Sequence, residues 1–225
     1  MKFSEGNLHN FLKDHYGVDA EISALAGEVD LNYFVRSKDG QCFILKIANK
    51  NELLSNLELQ NAVITHLAAK KLGLEVSRVV KSKGGKEILQ ITEDESSPRW
   101  LRLLTWVEGR VFAKVNPQTP ILYQRLGELC GKLCLALSDF EHSEANRFIK
   151  WDLARAEWIK PHLRNFTDEK LGLVNYFYSL FEDRVVPALP KLRQSVIYND
   201  ANDYNVLVSH ELADPHVPGV IDFGD

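Results

Sequence analysis

Near the end of the chain, Tyr198-Asn199-Asp200-Ala201-Asn202-Asp203-Tyr204-Asn205 forms a polar loop, and Asp222-Phe223-Gly224-Asp225 begins 17 residues after Asn205. An Asp, an Asn five residues later, a strand pair and then DFG is the order of groups in a phosphoryl-transfer loop. The chemistry accounts for the spacing. An acceptor must hold a substrate hydroxyl in line with a γ-phosphate, while an amide oxygen and a second carboxylate must meet Mg²⁺ on the phosphate side. One loop between strands supplies the first two groups, and a hairpin returns the third to the same place. Taken singly, Asp200, Asn202, Asp203 and Asn205 could equally be turn residues beside a hairpin. The D-x-N opening also resembles a calcium loop, but its sixth position is Asn205 rather than Gly.

The elements that must position these groups follow from the apolar pattern. Leu8, Phe11, Leu12 and Tyr16 mark a short amphipathic helix within residues 1–16, ended by Gly17. Strands are expected at Ile22–Leu25, Leu31–Arg36 and Cys42–Ile47, with a turn at Gly27–Asp30 and a tight hairpin at Asp39-Gly40. Leu53, Leu57, Ile64 and Leu67 define a helix over about 52–71. Strands are expected again at Val76–Val80, Lys86–Thr92 and Arg99–Trp106. Beyond Pro117 and Pro120 the chain turns helical. Leu122, Leu126, Leu129, Leu133 and Leu137 form a stripe, with Gly127 and Gly131 expected to allow close packing. Helices near 151–160 and 168–186 follow, then short strands at Ser195–Ile197, Val206–Val208 and Val217–Ile221. The pattern is α+β: a β-rich lobe over 1–105, a connector near 105–115, and a mainly helical lobe over 106–225, with a ligand cleft expected between them.

Composition excludes several classes. The 225 residues are 45% apolar and 26% charged, which is a globular balance. Net charge is −4 with no basic block, so no nucleic-acid partner is expected. No apolar run is long enough for a membrane span, and MKFSEGNLHN has no signal-peptide core. Cys42, Cys130 and Cys134 lack a framework spacing; Cys130 and Cys134 read as packed helix residues rather than a zinc or redox pair. A reducing cytoplasm is the expected setting.

The segments GEVDLNYF, CFILKI, LLTWVEG, IKWDLARA, VIYNDANDYNVLV and GVIDFGD, spread from Gly27 to Asp225, resemble the aminoglycoside phosphotransferase-type kinases, the group that includes choline and homoserine kinases. The hydroxylysine-kinase-like branch is the nearest in pattern. Related domains also open larger proteins that carry a class III aminotransferase. The resemblance implies a protein-kinase-like two-lobe fold with an antiparallel-sheet N-lobe, and use of ATP and Mg²⁺. It matches Asp200 to the catalytic aspartate and Asn205 and Asp222 to the Mg²⁺ ligands. Lys46 matches the lysine on the α/β-phosphates, although an exposed strand lysine is the plain alternative. Gly27 to Tyr33, with Gly27, Asp30 and Asn32, matches the loop over the nucleotide, although these residues also suit an ordinary turn. Leu104 to Val107, including Thr105, Trp106 and Val107, would offer backbone groups to adenine.

Two positions depart from the pattern. Tyr198 stands where the family has a His, which implies altered loop support rather than lost chemistry. The lysine's usual helix glutamate is also missing: Glu58 lies about 160° around the helix from position 60, whereas Gln60 falls inside the Leu57–Ile64 stripe. Gln60 is therefore the expected partner of Lys46. Trp151, Asp152 and Trp158 suit an amine-bearing substrate, or else two core anchors and an exposed cap. The expected activity is phosphorylation of a small amino alcohol, hydroxylysine-like or an aminoglycoside. The alternative is a nucleotide-binding or scaffolding domain without turnover, joined to further domains. Because the chain stops three residues after Asp222, the helical lobe is expected to be a piece of a longer one.

Overall fold

A computed structural model describes residues 3–27, 29–70, 72–92, 97–211 and 213–224. Glu28 in the expected nucleotide loop and Asp225 after the DFG triplet lie outside the described residues. Helix α1 (Glu5–Tyr16) starts where the Ser4 hydroxyl accepts from the Asn7 N–H and stops at Gly17, whose φ of 73° caps the helix in the left-handed region. Strands β1 (Ala20–Leu25), β2 (Leu31–Ser37) and β3 (Cys42–Ile47) form the antiparallel meander expected from Asp39-Gly40. Helix α2 (Leu54–Ala69) follows, then β4 (Val79–Val80), β5 (Leu89–Ile91) and β6 (Arg99–Thr105). Among the described residues the sheet runs β1-β2-β3-β6-β4, with β5 also on β6.

Period-two alternation gives this sheet two different faces. Phe43, Leu45, Ile47, Leu101 and Leu103 point one way and bury against Leu8 and Leu12 of α1. On the other face, Ile44 and Leu104 join Leu59, Val63, Ile64 and Leu67 of α2. That second core continues through Leu122, Leu129 and Leu133 of α3 (Pro120–Ala136) to Val206, Val208, Val220 and Phe223. Strand β7 (Arg110–Val111) pairs antiparallel with β8 (Val206–Val208), which pairs in turn with β9 (Gly219–Val220).

The chain divides into two units, 1–142 with 196–225, and 143–195. The second unit holds a 3₁₀-helical stretch over Leu153–Asn165, helix α4 (Asp168–Leu180) and a π-helical turn over Phe181–Val185. The helix expected to reach residue 186 therefore changes its winding at Phe181. Residues 195–197 form no strand: Val196 packs on the second core as irregular chain while Ile197 is 49% exposed. A three-residue apolar run does not distinguish a strand from buried coil. Among the described residues no helix is long and apolar enough to cross a membrane.

Gly127 and Gly131 do not serve close packing. Both face outward on α3, and a Cβ built at either position would meet nothing within 4 Å. A mid-helix glycine without a steric role only adds backbone entropy to the unfolded chain. Gly131→Ala is therefore expected to raise stability by about 0.5–1 kcal/mol, measured as a shift of the urea midpoint at constant slope.

Candidate active site

The β8–β9 hairpin brings the loop and the DFG triplet together. Val206 pairs with Val220, and the Ile221 N–H donates to the Asn205 carbonyl at 2.9 Å, so Asp222 leaves the sheet beside Asn205. Tyr198 braces both segments. Its hydroxyl donates to the Ile221 carbonyl, its ring meets Phe223 edge-on at 5.2 Å between centroids, and it is buried. Tyr198 therefore ties the start of the loop to the strand that leads into Asp222. Asn199 and Asp222 adopt φ of 62° and 64°. Asn and Asp tolerate the left-handed region better than other non-glycine residues, which accounts for these residue types at both bends. The twelfth place counted from Asp200 is Glu211, but the sixth is Asn205, which donates to Asp200 where a calcium loop needs the sharp turn of a glycine.

Two amides orient the Asp200 carboxylate. Asn202 Nδ2 donates to Oδ1 at 2.8 Å, and Asn205 Nδ2 donates to Oδ2 at 2.7 Å. With its NH₂ group on Asp200, Asn205 keeps its Oδ1 as an acceptor. Asp222 Oδ1 lies 3.1 Å from Lys46 Nζ; the Lys46 side chain is 11% exposed and that of Asp222 48%. Three of the expected groups, Asp200, Asn205 and Asp222, thus gather on one hairpin, and Lys46 reaches it from β3. Among the described residues no group of three or more His, Cys, Asp or Glu could hold a metal. The available donors, the Asn205 amide oxygen and the Asp222 carboxylate, are hard oxygens. They fit a Mg²⁺ ion that completes its shell with water and phosphate oxygens rather than an all-protein cage.

Gln60 is not the partner of Lys46. It is buried on the inner face of α2, as its place in the stripe requires, but its Oε1 accepts from Arg102 Nη2 at 2.6 Å. Arg102 Nη1 donates to Asn61 Oδ1 at 3.0 Å and approaches the Leu57 carbonyl at 3.5 Å. A neutral amide makes a weak partner for an ammonium when a forked guanidinium competes for the same oxygen. Glu58 is exposed on the outer side of α2, and Lys46 turns to Asp222 instead.

Arg102 joins the site although no motif pointed to it. It is only 2% exposed, and burial pushes its guanidinium down to about 10, opposed by the carboxylates of Asp30, Asp222 and Glu52; it stays charged at neutral pH. Register places Asn32, Lys46 and Arg102 in one row across β2, β3 and β6. Like charges on directly opposite residues of one sheet face are destabilising unless compensated, so the row draws on the anions around it. The signal in the sequence is an Arg breaking the Leu101–Leu104 run, opposite the adjacent amides Gln60 and Asn61.

In the loop expected to cover the nucleotide, Asp30 Oδ1 accepts from the Asn49 N–H at 3.0 Å. A Cβ on Gly27 would meet the Asp30 carbonyl at 2.5 Å and Asn32 Nδ2 at 2.7 Å, so only glycine permits this turn. The connector is narrower than expected. The Thr105 N–H donates to the Arg78 carbonyl at 2.9 Å and the Trp106 N–H to the Cys42 carbonyl at 3.0 Å. These donors belong to the sheet, which leaves the Trp106 carbonyl and the Val107 N–H without a hydrogen bond among the described residues. In the 143–195 unit, Trp151 is 66% and Trp158 36% exposed, so neither is a core anchor. Asp152 caps the 3₁₀ stretch by accepting from the Ala154 N–H at 2.9 Å, and Lys150 lies over the Trp158 ring at 5.8 Å. Tyr198→Phe removes the brace to the Ile221 carbonyl and is expected to cost about 1 kcal/mol in urea unfolding.

A family model described as the phosphotransferase enzyme family matches residues 21–225. The hydroxylysine kinase of Mus musculus is 28% identical over 99% of this chain, and that of Danio rerio is 25% identical over 99%. The chain spans 65% of each of these relatives. Among solved structures, a microcompartment-associated aminopropanol kinase superposes with a TM-score of 0.74 at 17% identity, over 98% of this chain and 69% of that one. An amicoumacin kinase gives 0.70 at 18% identity, over 99% and 64%. These two share the antiparallel-sheet, α+β fold. With the match running from Glu21 to the last residue, the chain belongs to the phosphotransferase enzyme family.

Proposed function

We propose that this chain carries an ATP- and Mg²⁺-dependent transfer of phosphate to the hydroxyl of a small amine-containing metabolite. The observation that carries the proposal is the hairpin constellation, in which Asn205 links the Asp200 carboxylate to the neighbourhood of Asp222 and Lys46. Asp200, fixed by two amide donors, orients the substrate alcohol and accepts its proton. Asn205 and Asp222 would hold Mg²⁺, which would supply charge neutralisation at the phosphates. Lys46 leaves Asp222 for the α/β-phosphates when nucleotide binds. Gly27, Asp30 and Asn32 shape the loop over the nucleotide, while the Trp106 carbonyl and Val107 N–H face the adenine edge. Most of the rate then comes from alignment and electrostatic stabilisation.

Amino alcohols are the preferred acceptor class, hydroxylysine-like first. This choice is supported by the hydroxylysine kinase relatives and the fold shared with an aminopropanol kinase. The three free cysteines and the nucleotide requirement suit a reducing cytoplasm. The second proposal is a nucleotide-binding or scaffolding domain within a longer protein such as an aminotransferase fusion. The absence of a helix carboxylate beside Lys46 among the described residues favours it, and Mg²⁺-dependent ATP binding without transfer to any amino alcohol would support it.

Asp200→Ala is expected to lower kcat by about 10²–10⁴-fold while leaving the ATP KM within a few-fold, in a coupled ADP-release assay. Wild-type turnover by that variant would remove Asp200 from the chemistry. Chelation of divalent metal with EDTA is expected to abolish turnover, and excess Mg²⁺ to restore it.

A further inference from the structure

Lys46 and Arg102 are direct partners across β3 and β6 and share one sheet face. Like charges placed directly opposite are destabilising unless each is compensated. Arg102 is held by three neutral oxygens of α2, from Leu57, Gln60 and Asn61, and no carboxylate lies within ion-pair distance of it among the described residues. Its charge is therefore balanced only at longer range, by Asp30, Asp222 and Glu52. Lys46 has no acceptor on α2 among the described residues, because Gln60 and Asn61 are already engaged, and its ion pair points away to Asp222. The arrangement replaces a helix anion beside the lysine with a second cation locked to the helix.

We infer that Arg102 is the positioning residue for Lys46: its buried charge keeps the ammonium off α2 and directs it toward Asp222 and the nucleotide phosphates. The inference rests on the nucleotide-binding role proposed for Lys46. Arg102 itself touches neither Asp222 nor any place where substrate is proposed to sit. A purely structural tether would need the guanidinium's fit between α2 and β6 but not its charge.

The test is calorimetric binding of Mg·ADP to the full 225-residue chain and to four variants, with thermal unfolding recorded for each. Lys46→Ala sets the scale, with an expected loss of about tenfold or more. Arg102→Lys keeps the charge and loses the fork, so it should unfold earlier yet bind within about threefold of the parent. Gln60→Leu/Arg102→Leu keeps an apolar contact between α2 and β6 and loses the charge, so binding should weaken about tenfold. Adding Lys46→Ala to that pair should cost less than about threefold more, because the two cations act as one unit. Parent-like binding by Gln60→Leu/Arg102→Leu, or a full additive loss on adding Lys46→Ala, would overturn the inference. If the Leu pair does not fold, Arg102→Lys decides alone: binding as weak as that of Lys46→Ala overturns the inference, and near-parent binding upholds it. Unchanged binding by Lys46→Ala in the parent would instead remove the role proposed for Lys46 itself, a failure distinct from that of Arg102.

Discussion

The ion pair between Lys46 and Asp222 joins side chains 176 residues apart, one on the third strand of the early sheet and one just past the late hairpin. Each end depends on a different piece of folding. The Lys46 end needs the β2–β3–β6 register, because a slip of one residue would send the ammonium into the apolar face built on α1. The Asp222 end needs the β8–β9 pairing, the Tyr198 brace and a left-handed bend. With Lys46 only 11% exposed, the pair is sheltered on one side and open through Asp222 on the other. Such a half-open pair can change partners more readily than a fully buried one.

The charge pattern around that pair explains why the sheet tolerates adjacent cations. Arg102 spends its fork on neutral oxygens of α2, so it stabilises the helix without neutralising the row. Asp30, Glu52 and Asp222 hold the potential in check. On the proposed nucleotide role, an entering phosphate group would meet Arg102 already fixed on α2, and Lys46 would be the cation that changes partner.

Much of this is legible in the sequence. Asp39-Gly40 locates the first hairpin, the Leu122–Leu137 stripe locates α3, and the Asp200–Asn205–Asp222 spacing locates the hairpin that gathers the polar groups. These signals are local, so they survive folding unchanged. Arg102 escapes a linear reading because an arginine inside an apolar strand ordinarily marks a solvent-facing position. Its burial arises only when Gln60 and Asn61 of α2 cover it, which is a tertiary event. The same two amides account for the wrong pairing of Gln60 with Lys46. The connector offers fewer donors than expected because the sheet claims the N–H groups of Thr105 and Trp106 through Arg78 and Cys42, contacts that no linear pattern shows.

The hairpin groups are proposed to transfer phosphate to an alcohol oxygen. The most direct measurement is ³¹P NMR of the chain incubated with Mg·ATP and 5-hydroxylysine or a short amino alcohol. A new phosphomonoester resonance is expected, stoichiometric with ADP, and it should disappear when Asp200 is replaced by Ala. ATP binding without any phosphomonoester across the amino alcohols, or an undiminished resonance from the Asp200→Ala protein, would contradict it.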